Sequence, residues 1–286
     1  MNKYTLMTLL LAFASTIGFA QEVEKTAFQS STFSSDRGTY TRSGATFGRG
    51  LQLEMGVGYE WMDDDNDAFK TDQATPFAAQ LRLGLSDKVE LDFAIANREL
   101  IIRNWADGKD KYNYWSPLQI GIRAQIIDAK CKDGNFKTQG SLYLGMGINT
   151  TQRNHLDDDD MIRDWVLVER PSFVAPEFAL LMSHDIKSRF VLGYNFGVKW
   201  TDNGKRPDAF YSIRALMHLS KKMDFYAEHY NFMRKKVEPN LGLNFGVRYA
   251  ITKGIMLDIN GGTGLNENSS VGFAGIGFTF NLADNK

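Results

Sequence analysis

The sequence carries one cysteine in 286 residues. An internal disulfide and a multi-cysteine metal site are therefore excluded. Proline is scarce, with 6 residues against 26 glycines. Neither sign of charge prevails: 33 Lys and Arg stand against 34 Asp and Glu, a formal net charge of −1. No basic excess exists to hold a phosphate backbone, which argues against a nucleic-acid partner. After residue 20 no apolar run reaches spanning length, so a membrane protein built of helices is excluded. Yet hydrophobic residues make up 43% of the chain and aromatic residues 13%. That is too much apolar material for a disordered chain.

The one long apolar run lies at the start. Lys3 supplies a positive end, Tyr4 to Ala20 are mostly apolar, and the run closes on Gly18-Phe19-Ala20. This pattern predicts a signal peptide over 1–20 that leaves Gln21 first. No cysteine follows that site, which argues against lipid attachment there. Residues 21–49 are rich in Ser, Thr and Gly without period, and are expected to form a flexible N-terminal arm. Cys131 sits in the polar turn DAKCKDGN and reads as a free thiol.

From residue 50 the chain changes character. Leu51, Leu53, Met55, Val57, Tyr59 and Trp61 alternate with Gln52, Glu54, Gly56, Gly58 and Glu60. A period of two over this length predicts a strand with one apolar face. The pattern recurs in segments beginning near Phe77, Val89, Leu118, Leu142, Val174, Phe190, Tyr211, Phe225, Leu241, Ile255 and Ile276. The segment at 174–182 is noisier, and the one at 225–232 is ambiguous in phase. About twelve strands result, an even number.

The connections alternate in length. Short turns are expected at 86–88, 185–188, 220–222 and 252–254, and longer polar loops at 62–75, 98–114, 150–170, 201–208 and 234–239. Short turns at one end and long loops at the other suit a bacterial outer-membrane barrel. In that topology Trp61, Phe77, Trp115, Trp200 and Tyr211 fall at one rim, and Phe190, Phe225, Tyr249 and Phe280 at the other. Two aromatic belts emerge, as headgroup-level rings require. A soluble sandwich also alternates, but its strands are shorter than runs of ten to twelve residues. Its polar face would not carry Gly together with Arg82, Arg123, Lys199, Arg214, Arg248, Glu54, Glu90, Asp92, Glu177 and Asp258. The expected fold is therefore all-β, a transmembrane antiparallel up-and-down barrel over 50–282 with a C-terminal tail at 283–286.

The segments GRGLQLEMGVGYEW, LRLGLSDKVELDFAI, FVLGYNFGVKW, MDFYAEHYNF, LNFGVRYAITKGIMLDINGGTGLN and GIGFTFNL resemble the outer-membrane transporters grouped under the MetA pathway of phenol degradation. The resemblance spans about residues 45–282 and carries no catalytic signature. It implies a barrel that passes small solutes, hydrophobic or aromatic ones included.

Inward glycines at 56, 58, 84, 121, 145, 147, 193, 197, 242 and 246 either clear a passage or permit curvature and close strand approach. The residues expected to line the lumen are Arg82, Arg123, Arg214 and Arg248 with Glu90, Asp92, Glu228 and Asp258. As arginine–carboxylate ladders they either brace the wall or border a path, and their mixed sign gives no ion preference. The acidic runs Asp63-Asp64-Asp65 with Asp67, and Asp157 to Asp160, lack the spacing of a calcium loop and read as solvated loop faces. Four histidines are present, at 155, 184, 218 and 229. Ser183 and His184 point to opposite sides of a strand. His218 and Ser220 share a side, but no carboxylate is identifiable for them. No catalytic residue, metal site or cofactor is expected.

The function expected is passive diffusion of small solutes through the outer membrane. The expected partners are lipid and a small solute of unknown identity, and the N-terminus and short turns are expected to be periplasmic. A structural or surface-interaction barrel with a braced lumen is the second possibility, and a lipid-modifying enzyme the third.

Overall fold

The computed structural model describes residues 40–46, 48–62, 69–104, 109–131, 135–148, 174–187, 189–201, 206–233, 240–266 and 272–282. The leader, most of the arm, both acidic runs, His155 and the C-terminal tail lie outside the described residues. Every regular element described is a strand: β1 (Gly50–Met62), β2 (Phe69–Gly84), β3 (Val89–Asn104), β4 (Lys109–Trp115), β5 (Leu118–Lys130), β6 (Phe136–Ile148), β7 (Val174–Ile186), β8 (Phe190–Thr201), β9 (Arg206–His218), β10 (Met223–Met233), β11 (Asn240–Ala250), β12 (Ile255–Gly264) and β13 (Gly272–Asn281).

Each strand pairs antiparallel with its neighbours, and β1 pairs with β13, so the sheet closes on itself. Around the closed ring each strand is flanked on both sides, which satisfies ladder groups without water, while β4 pairs with β3 alone among the described residues. The thirteen strands make a twelve-membered ring because β4 and β5 are two lengths of one course. β3 pairs with β4 from Asn97↔Trp115 outward and with β5 from Ala94↔Gln119 inward, a shift of one residue. Ser116 and Pro117 fill the break. Pro117 has no N–H for the ladder. The Ser116 hydroxyl accepts the Ala96 N–H at 2.8 Å where a carbonyl would otherwise stand.

The distribution of side chains is inside-out. Ile259, Leu144, Phe196 and Val57 face outward and are exposed, whereas Gln52, Arg82, Ser141, Asn244 and Thr279 face inward and are fully buried. Greasy rows outside and polar rows inside are what lipid demands of a barrel. Trp61, Phe77 and Trp115 are exposed toward one rim, and Tyr249 toward the other. Phe77, Asn97 and Trp115 stand in one row across β2, β3 and β4.

Three short turns share one chemistry. The hydroxyls of Ser86, Ser220 and Thr252 accept the N–H two residues on, from Lys88, Lys222 and Gly254, at 3.2–3.3 Å. Such a bond lets a short polar side chain close the turn.

The long connections are shorter than the sequence pattern implies. The expected loop at 98–114 is strand through Asn104 and again from Lys109. The loops expected at 62–75 and 201–208 yield residues from Phe69 and from Arg206 to strands β2 and β9. Beyond the bilayer neither face need be apolar, so alternation fades while pairing continues. A trace survives: Leu100, Ile102, Tyr112 and Tyr114 alternate and pack together.

Candidate functional site

The eight residues expected to line the lumen are all nearly inaccessible, at 4% exposure or less. In the ladder they form four cross-strand pairs of opposite charge: Arg82↔Asp92, Glu90↔Arg123, Glu228↔Arg214 and Arg248↔Asp258. Directly opposed side chains share a face and lie close enough to interact. Around β1, β2, β3 and β5 they fuse into a network. The Arg82 guanidinium meets Glu90 at 2.6 Å, Asp92 at 3.5 Å and Glu54 at 3.6 Å. Arg123 meets Glu90 at 3.1 Å and Asp92 at 3.6 Å. All these partners belong to neighbouring strands, so this ladder runs along the wall.

What crosses the lumen is the chain itself. Residues 40–46 belong to the segment expected to be a flexible arm, and over this stretch that expectation fails. Thr41, Ser43, Ala45 and Thr46 are buried inside the barrel. The strap enters at the short-turn end. The Thr46 hydroxyl donates to the Asp87 carbonyl at 2.7 Å. Beside it Gly48 takes φ 86°, and a Cβ on Gly84 would lie 1.6 Å from the Gly48 oxygen. Only glycine allows this backbone-to-backbone approach.

From there the wall satisfies the strap's backbone groups one by one. Arg123 donates to the carbonyl oxygens of Ser43 at 3.2 Å and Ala45 at 3.5 Å. The Ser141 hydroxyl donates to the Gly44 carbonyl at 2.7 Å, and the Gly44 N–H donates to the Ser183 hydroxyl at 2.8 Å. The Arg42 guanidinium pairs with Glu177 at 2.7 Å and lies 4.0 Å above the Tyr143 ring. The Glu228 carboxylate accepts the N–H groups of both Tyr40 and Thr41. Sequence reasoning had no signal for this, because a strap bound through its backbone needs no apolar period.

At the far end of the strap lies an aromatic cluster. The Tyr40 ring stacks on Tyr230 with centroids 3.8 Å apart and meets Phe232 and Phe273 edge-on at 5.7 and 6.3 Å. Phe210 adjoins Phe232 at 6.0 Å. The inward glycines take a third role here, since they serve as floors for rings. A Cβ on Gly242 would lie 2.2 Å from the Tyr230 ring, on Gly246 2.4 Å from Tyr226, and on Gly197 2.4 Å from Phe210. Gly121 and Gly145 lie under Tyr143 in the same way.

Among the described residues the histidines arrange no nucleophile. His184 bonds Thr138 and Tyr194 at 3.0 Å each, while Ser183 faces the strap. His218 does have a carboxylate, Asp224 at 2.7 Å, which the sequence did not reveal. Among the described residues no hydrogen bond joins His218 to Ser220, whose hydroxyl serves its own turn.

Residues 172–282 match the family described as "Putative MetA-pathway of phenol degradation". The resemblance read from the sequence is borne out over that stretch. None of the curated proteins compared matches the chain. An outer-membrane channel of Pseudomonas putida F1 superposes with a TM-score of 0.58 at 10% identity, covering 83% of this chain and 97% of that one. This likeness establishes the fold as a closed antiparallel β-barrel. The CymD monoaromatic hydrocarbon channel gives 0.44 at 9% identity over 84% and 90% of the two chains. The toluene transporter TbuX of Ralstonia pickettii gives 0.44 at 9% identity over 82% and 90%.

Proposed function

We propose that this chain is a passive outer-membrane channel for small apolar solutes, aromatic ones included. The observation that carries the reading is the way the lumen is filled. The Arg82–Arg123 network hugs one side of the wall, and a single strap of seven described residues spans the interior. That strap is outside the strand ladder, held by wall side chains. It can therefore shift without breaking the barrel. The phenol-degradation description of the matched family agrees with a ring-bearing solute.

In this reading residues 1–20 direct export, the short-turn end faces the periplasm and the long connections face outward. The charges around Arg82 and Arg123 stiffen the wall, and Glu228 holds the strap. The chain acts without a catalytic group or cofactor.

The experiment is single-channel recording of refolded mature protein in planar bilayers, paired with swelling of proteoliposomes in small sugars. Discrete open steps and swelling are expected. A second reading, a structural barrel with a closed lumen, draws on the burial of both the strap and the ionic network. Bilayers that stay silent with the strap residues deleted would favour it.

A further inference from the structure

The lumen holds a ring-binding recess that the channel reading leaves unassigned. Tyr230 supplies a face stacked on the Tyr40 ring, and Phe232 and Phe273 meet that same ring edge-on, at 68° and 85° to it. One stacked and two edge-on contacts around a single ring are the preferred geometries for an aromatic guest. The hosts are set in place, because Tyr230 rests on Gly242, Phe273 on Gly262 and Phe210 on Gly197. The guest is different in kind. Tyr40 belongs to no strand, and at 39% exposure it is the most exposed ring of this cluster. Its backbone N–H bonds to Glu228, whose carboxylate also accepts from Asn244 at 2.9 Å.

We infer that the recess of Tyr230, Phe232 and Phe273 is a binding site for one small planar aromatic molecule, and that Tyr40 occupies it as an internal competitor. A solute ring entering the lumen takes the place of the Tyr40 ring, and the strap tip moves aside. Glu228, released from the strap, then faces the guest as an acceptor for a ring hydroxyl or amine. Solute binding and strap withdrawal are thus one equilibrium, in which only the fraction with Tyr40 withdrawn is competent to bind. The inference rests on the channel reading for its biological sense, but the site stands or falls by binding.

The test uses p-cresol, the free counterpart of the tyrosine side chain, with 4-methylcyclohexanol as a saturated control of similar size. Binding to the full mature chain in detergent is followed by ligand-observed NMR. Tyr40→Ala removes the competitor from outside the strand ladder and is expected to tighten p-cresol binding by roughly fivefold, the order of one aromatic contact pair. Tyr40→Phe should bind like the unsubstituted chain, and the saturated control should gain nothing. Adding Phe232→Leu and Phe273→Leu to Tyr40→Ala should abolish the gain. Should Tyr40→Ala not refold, Tyr40→Leu reads the same loss of stacking.

Unchanged p-cresol affinity, an equal gain for the saturated control, or indifference to the two leucine substitutions would overturn the inference. Liposome swelling in an inert sugar, run on the same variants, reports the channel reading separately. Failure to swell with intact cresol binding condemns the channel and keeps the site, and the reverse result condemns the site alone.

Discussion

The Glu228 carboxylate accepts the backbone N–H of Tyr40 at 2.9 Å. It holds the neighbouring N–H of Thr41 as well, so one wall residue pins the inner end of the strap. Its ladder neighbour Arg214 stands directly across on β9. Removing the carboxylate therefore loosens the strap and leaves a buried cation opposite an empty place.

Glu228→Gln should raise the frequency of channel opening, because an amide oxygen is a weaker acceptor for the two N–H groups. Hydrogen bonds to a charged group contribute about 1.5–3 kcal/mol, so the strap's closed fraction should fall by roughly tenfold or more. Single-channel records of the variant and the unsubstituted protein measure this directly. Equal open probability would assign the strap's hold to its other contacts, Arg42–Glu177 and Arg123–Ser43.

The network around Arg82 should govern stability and leave conductance nearly untouched. Arg82 lies among Glu54, Glu90 and Asp92, all fully or almost fully buried. Arg82→Ala takes one cation away from three buried carboxylates, of which Glu90 and Asp92 keep Arg123, and breaking a buried charge pair costs about 3–5 kcal/mol. Urea unfolding in detergent micelles should show that loss. Since the network runs along the wall, the conductance of variant barrels that do fold should stay close to the original. A large change in conductance with stability preserved would place Arg82 on the path of the solute.

The barrel was legible in the sequence because lipid outside and a polar lumen impose a strict period of two, clearest in β1, β8 and β11. Two strands that read poorly do so for a visible reason. In β7, Leu181 and Ala179 are apolar yet face inward, packed with Tyr143 and Phe210. In β10, Tyr226, Tyr230 and Phe232 face inward while Phe225 faces outward, so both faces carry rings. The four charge pairs were legible as residue types, whereas their pairing required the register. The strap was not legible: the bonds of its Gly44 carbonyl to Ser141, Gly44 N–H to Ser183 and Thr46 N–H to Gln125 join residues about 80 to 140 positions apart and use backbone groups of the strap that almost every residue has.

The glycine floors yield a prediction that separates packing from passage. Gly242→Ala puts a methyl group where the Tyr230 ring lies, 2.2 Å from its nearest atoms. The ring must turn away, and overpacking of this kind costs about 1–3 kcal/mol. Tyr230→Ala alone should also destabilise, by emptying the space above Gly242. The double variant should cost less than the sum, because the new methyl fills part of the vacated space. Strict additivity in urea unfolding would mean that ring and glycine do not depend on each other.

The outward rows can be tested by charge. Ile259 on β12 is 53% exposed, and its ladder partners Val247 and Ile276 also face outward. Ile259→Arg places a guanidinium against acyl chains and should destabilise the folded barrel in vesicles by about 2–4 kcal/mol if it lies near the midplane. In the same strand Asn260 faces the lumen, and Asn260→Arg should cost far less, because that side of the wall is already polar. The comparison needs only reversible unfolding of both variants in the same lipid. If the two substitutions cost the same, the two faces of β12 are equally solvated, and the barrel does not sit in a bilayer as its rows of Ile, Val and Phe require.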